Sequence, residues 1–203
     1  YLDEVFAMET DVARSAADRL GARVSLPEQL AIEERPTKDL FAYELYIRAF
    51  PLIEESVSYG LSSETNLFKA VELLNQAIAR DPGFLLAYCQ LARAHDGIYL
   101  TGLDRTASRL ESAKSAIDAA LRLKPDSGDA HLALALHYYF GYLDYERARQ
   151  ELAIARRTMP NNAHLFELSG YIDRRQERWD DAVRNLERAA TFDPPKIQRQ
   201  RRI

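Results

Sequence analysis

The side chains of this sequence best suited to catalysis or metal binding are four histidines, His95, His131, His137 and His164, and one cysteine, Cys89. A metal ion needs two or more such ligands on one face, supported by carboxylates or further imidazoles. No two histidines stand four residues apart. His131 and His137 differ by six, which on a helix turns them to different sides, and both are expected to pack in apolar surroundings. Cys89 lies beside Tyr88 and Leu91 in a helical pattern, where a thiol serves as a small buried hydrophobe and not as a nucleophile. A single cysteine forms no internal disulfide and no zinc framework, which suits a reducing compartment. No G-x-S-x-G elbow, phosphate loop or dinucleotide fingerprint occurs. The expectation is a protein that is not an enzyme and that holds no metal and no cofactor.

The elements that would carry these residues belong to an ordinary globular mixture, 47% apolar and 29% charged over 203 residues. A formal net charge of -4 gives no overall attraction to phosphates, so nucleic acid and anionic membrane surfaces are not the expected partners. No apolar run approaches the roughly 18 residues of a membrane span, and the first residues lack the layout of a signal peptide. The chain is therefore read as soluble and cytoplasmic. It begins at Tyr1 within a helical pattern, which reads as a piece of something longer.

Self-similarity organises most of the chain. Four segments carry one small, large, small, proline pattern: Ala70, Leu74, Ala77, Pro82; Ala113, Ile117, Ala120, Pro125; Ala148, Leu152, Ala155, Pro160; and Ala182, Leu186, Ala189, Pro194. Offsets of 4 and 7 place three residues on one helical face, and the proline five positions on stops the helix. Two alanines per segment let another helix approach closely while the larger residue fills the gap. The intervals from Pro82 to Pro125, then to Pro160, then to Pro194, are 43, 35 and 34 residues. A second apolar segment precedes each terminal helix: Tyr88, Leu91, Ala92, His95; His131, Leu134, Ala135, Tyr138; and Phe166, Ser169, Gly170, Asp173.

A 34-residue period of paired helices resembles the tetratricopeptide repeat, whose Trp, Leu, Gly and Tyr signature places those second segments occupy. Trp179 before Ala182 and Tyr145 before Ala148 match the aromatic that opens the second helix of such repeats. The resemblance implies an all-α fold, a tetratricopeptide-type right-handed superhelix of antiparallel helix pairs. The expected organisation is an N-terminal helix and linker over 1–35, four helix pairs over 36–82, 83–125, 126–160 and 161–195, and a basic tail over 196–203. The first two pairs depart from the pattern: Ala49 to Ala70 and Ala92 to Ala113 are each 21 residues apart, against 12 from Gly170 to Ala182. The stretch from Gly97 to Asp104 is expected to prolong a helix and then turn, with Asp104 capping the next. In the first pair Pro51 and the segment 59–63 fill the insert, with Ser62 or Ser63 as the cap.

The segment Arg35-Pro-Thr-Lys-Asp-Leu-Phe-Ala-Tyr-Glu-Leu-Tyr-Ile-Arg48 resembles the start of the repeat region in bacterial signalling proteins, where a TolB-like domain precedes tetratricopeptide repeats. Asp3 to Leu20, with Val5, Met8, Val12, Ala16 and Leu20 on one stripe, is similar to the helix that leads into those repeats. Gly21 ends it, and Ser25 with Glu28 reads as a capping box. That family couples its repeats to a cyclase, winged-helix or kinase output domain, none of whose motifs is present here.

Stacked helix pairs curve, and the first helix of each lines the concave side that such repeats use for binding. Counting from the signature aromatic, the inner face is expected to include Phe41, Glu44 and Arg48; Leu86, Cys89 and Arg93; Asp129, Leu132, Leu136 and Tyr139; and His164, Glu167, Tyr171 and Arg174. Arg93 and Tyr139 are expected to turn away from the core as surface residues, while Leu132, Leu136 and Tyr139 serve equally well as packing against a neighbouring repeat or the N-terminal helix. Chaperone-type tetratricopeptide domains grip a C-terminal carboxylate with a Lys and Asn pair. Cys89 and Arg93 stand at those places here, so a helix or extended segment held by mixed apolar and charged contacts is expected instead. The interspersed charges Arg147, Arg149, Arg156, Arg157, Arg174, Arg175 and Arg178 are expected to form a solvated face. The expected function is therefore a protein-binding or intramolecular regulatory scaffold whose partner is a protein, a peptide or another domain of the same chain. The alternative is a structural module for self-association.

Overall fold

The protein, analysed as a computed structural model, is described at Ser15, residues 35–58 and residues 64–192. The expected N-terminal helix other than helical Ser15, the Ser25–Glu28 box, the caps at Ser62 and Ser63, Pro194 and the tail 196–203 lie outside the described residues. Within residues 35–192, eight α-helices are described, α1 (Leu40–Ser58), α2 (Glu64–Arg80), α3 (Leu85–Thr101), α4 (Ala107–Leu123), α5 (Gly128–His137), α6 (Tyr145–Thr158), α7 (Ala163–Arg175) and α8 (Trp179–Phe192), with no strand among the described residues. They pack as antiparallel hairpins, α1 with α2, α3 with α4, α5 with α6 and α7 with α8, and successive hairpins stack into a superhelix.

Local chemistry sets the boundaries. Asp39 caps α1 by accepting from Ala42 N–H at 2.9 Å, and its carboxylate also takes Arg80 Nε and Nη2 at 3.1 and 3.0 Å. One side chain thus starts α1 and ties it to the end of α2. Ser127, Asp144 and Asn162 cap α5, α6 and α7 in the same way. The cap of α4 is Thr106, which accepts from Arg109 N–H at 3.3 Å, and not Asp104. Asp104 sits two residues earlier, accepts from Thr106 N–H and holds the Arg109 guanidinium at 2.8 Å, so its reach is used one step before the helix begins. The stretch after Gly97 does prolong α3, to Thr101, and Gly102 ends it at φ 85, a left-handed conformation that glycine adopts without strain.

The small, large, small faces are buried: Ala70, Leu74 and Ala77, Ala113, Ile117 and Ala120, Ala148, Leu152 and Ala155, with Ala182 and Ala189 closing the last hairpin. Gly170 shows why the facing residue must be small, since a Cβ built there would lie 2.7 Å from Leu186 Cγ and 3.2 Å from the Ala182 carbonyl oxygen. The helix of the third repeat does not end at His137. It continues as a π-helical turn, Tyr138–Tyr142, closed by Leu143 at φ 53, a widening that the apolar spacing did not announce.

Polar side chains stitch the hairpins together inside. His137 Nδ1 lies 2.8 Å from Asp96 Oδ1, joining the third repeat to the second, and both residues are almost fully buried, at 1% and 2% exposed. His131 bonds Glu151 at 2.6 Å and the Pro125 carbonyl at 2.9 Å. The expected apolar surroundings of these two histidines are thus corrected: helix spacing hides carboxylates 20 and 41 residues away, and a buried imidazole needs such partners. Asp173 is a further hub, holding Arg149 at 2.6 Å, Arg178 at 3.0 Å and Asn185 at 2.8 Å, so part of the expected solvated charge face is a partly buried network.

Candidate binding groove

The first helices of the four hairpins together line one open groove of about 530 Å³. Helix α3 contributes Leu86, Cys89, Gln90, Arg93 and Leu100. Helix α5 and its π turn contribute Asp129, Leu132, Ala133, Leu136, Tyr139 and Phe140, followed by Leu143. The α7 side presents Asn162, His164, Glu167, Leu168, Tyr171, Arg174 and Arg175. Apolar and charged groups alternate because these helices bury one face against their own hairpin and another against the neighbouring repeat, leaving a narrow third face open.

Helix α1 reaches this groove through Tyr46 and Phe50, not through Phe41, Glu44 and Arg48. Those three line a separate furrow with Leu45, Gln76, Ala79 and Arg80, where Phe41 is 61% exposed under the Arg80 guanidinium and Glu44 pairs with Arg48. The correction is one of register. Ala49 is the buried counterpart of Ala92, which puts Tyr46 and Phe50 where α3 has Cys89 and Arg93; the equal 21-residue separations from Ala70 and Ala113 already carried that signal.

The expected surface character of Arg93 and Tyr139 is also corrected. Tyr139 is 5% exposed, with its ring against Phe140 at 5.1 Å and Tyr145 at 5.9 Å, on the same helical face as buried Leu132 and Ala135. Arg93 is mostly buried in an ion pair with Glu54 of α1, so its charge is neutralised at the groove floor. Among its neighbours, burial raises the Cys89 thiol well above the ordinary range, which removes it as a nucleophile. Desolvation, with Asp129 nearby, pushes Tyr46 up to about 12. Glu167 is held below the usual carboxylate range by its bond to His164 and then by Tyr171, whose hydroxyl donates to it at 2.6 Å. Tyr171 is itself raised by burial and by that bond, and Arg174 lies over its ring at 5.6 Å. Gln90 Oε1 is buried with no hydrogen-bond donor among the described residues.

No protein-family model matches the sequence, and no curated protein does. Among solved structures, the chain is similar to TTC0263, a thermophilic TPR protein of Thermus thermophilus, at 24% identity over 94% of this chain and 92% of that one, with a TM-score of 0.60. The fold is that of a tetratricopeptide-repeat array. A looser likeness to MamA has 18% identity over 93% of this chain and 96% of that one, with a TM-score of 0.45. Within the array, no group of three or more His, Cys, Asp or Glu among the described residues is arranged to hold a metal ion. No helix among them is long and apolar enough to cross a membrane.

Proposed function

We propose that the groove is a docking site for a protein segment, and that the array is a non-enzymatic scaffold regulating or positioning another domain. The observation that carries this reading is the continuity of the groove across the four hairpins, with tyrosine, arginine and apolar side chains of the kind that dominate binding hot spots. Gln90 Oε1 adds an unused buried acceptor that a backbone N–H of a docked segment would satisfy. The resemblance around Arg35 to Arg48 suggests the setting, a cytoplasmic bacterial signalling protein with a TolB-like domain, in which the docked segment belongs to an output domain of the same chain. Differential contact with that segment in two states would then bias the output.

The test places a photo-crosslinking amino acid at Leu86 or Leu143 in the full-length protein, with exposed Glu111 of α4 as the control. Groove positions should yield crosslinks to one defined segment while the control yields none. Equal yields from all three, or none from the groove, would reject the docking site.

A second reading, self-association, rests on α8, where Trp179 and Val183 lie one turn apart and are 60% and 56% exposed. Sedimentation at several concentrations separates the two, since a Val183→Glu variant should change the sedimentation only if this face joins copies.

A further inference from the structure

We propose that the furrow between α6 and the last hairpin is a binding site for a phosphate dianion, on the second-helix layer and apart from the groove. It measures about 360 Å³ and is lined by Arg149, Arg156, Arg157 and Ser169 over an apolar floor. Arg149 is committed to Asp173, but the others are not. Arg156 and Arg188 both lie against the ring of Phe166, at 4.9 and 4.4 Å from its centroid, so Arg188, outside the furrow's own lining, adds its charge close to Arg156.

No carboxylate among the described residues pairs with Arg156, Arg157 or Arg188, in a chain with 31 acidic and 27 basic residues. The sequence provides none at helical spacing either, because no position three or four residues from any of them is Asp or Glu. Elsewhere the chain does the opposite, pairing Arg48 with Glu44, Arg147 with Asp144 and Arg184 with Asp181. Burial and then the nearby Arg188 charge make Arg156 easier to deprotonate than an ordinary arginine.

The C-terminal dipole of α6 offers Arg156 and Arg157 only a diffuse partial charge of about half a unit, and it occupies few donors. Of the Arg156 fork, one bond goes to Ser169 Oγ at 3.2 Å. The remaining donors suit an anion with several oxygens. A monovalent carboxylate neutralises one guanidinium, whereas a phosphate or phosphomonoester carries close to two charges and three acceptor oxygens, matching forks that bind bidentately. Ser169 itself donates to the Leu165 carbonyl at 2.7 Å, which fixes its oxygen as the acceptor that orients Arg156.

The side-chain Nε–Hε resonances of Arg156 and Arg188 provide the test, followed while sodium phosphate replaces sodium chloride at constant ionic strength and pH 7. A second arm uses a short phosphoserine peptide and its unphosphorylated form. Saturating shifts with phosphate are expected, with binding weakened about tenfold or more by Arg156→Gln with Arg188→Gln, the loss of two charge-assisted bonds. Arg184→Gln should leave it unchanged. Tighter binding of the phosphopeptide assigns a protein-borne phosphoryl group, and equal binding assigns the free ion. Without phosphate the double variant should melt no lower than the native chain, since like charges are removed; should it melt lower, Arg157→Gln and Arg188→Gln singly repeat the titration. Shifts that never saturate, that chloride reproduces, or that survive these variants would overturn the site.

Discussion

Replacing His137 with phenylalanine keeps a ring in the core but takes away the only hydrogen-bond partner that the Asp96 carboxylate has among the described residues. Asp96 Oδ2 already has none, and burial raises the group above the ordinary carboxylate range, opposed by the bond from His137. Breaking a buried pair from one side costs about 3–5 kcal/mol, because a charge is left in the interior. For a chain of this size that corresponds to a fall in melting temperature of about 6–20 °C. Adding Asp96→Ala removes the stranded charge and should recover about 1–3 kcal/mol, so the double variant is more stable than the single one. The sign with pH follows from the raised folded-state pKa of Asp96: its cost is absent below the ordinary value of 3.8 and grows as pH rises through the raised value. The deficit of His137→Phe should therefore shrink on acidification. Urea midpoints by circular dichroism at several pH values measure all of this. A double variant no more stable than His137→Phe at neutral pH would refute the reasoning, since the carboxylate would not be the source of the cost.

Ala148→Leu or Ala182→Leu, at 0% and 3% exposure, should each cost about 1–3 kcal/mol by overpacking a helix contact, and unchanged melting of both would contradict the assigned register. Tyr139→Ala should cost about 3–5 kcal/mol as a buried aromatic truncation, measured by the same unfolding curves. His95, lowered to about 4 by burial and then by the Arg109 charge, should stay neutral in an NMR titration down to that region. Because its folded pKa is depressed, its contribution to stability is present above about 6.5 and is lost as pH falls towards 4. Arg109→Gln should move that titration upward.

What was legible in the sequence is what helix periodicity controls. The offsets of 4 and 7 repeat because the second helix of each hairpin buries one face against a closely approaching helix, as Ala182 and Leu186 do against Gly170, and Ala70, Ala113, Ala148 and Ala182 are all buried. The fold class and the faces of α3, α5 and α7 that open on the groove follow from that local rule. Tertiary structure decided the rest. For α1 the 21-residue separation from Ala49 to Ala70 already set the register that puts Tyr46 and Phe50, and not Phe41, Glu44 and Arg48, in the groove; only the stacking decides which helices they face there. Tyr139 is buried and not at the expected surface, its ring packed against Tyr145 of α6, a neighbour that no spacing within α5 records. Asp96 and His137, 41 residues apart, meet only because successive hairpins stack at one angle, and Arg156 reaches Phe166 of the next hairpin for the same reason. Spacing along one helix specifies which residues share a face; which residue on another helix that face meets depends on how the hairpins are rotated and stacked, and no short-range pattern records it.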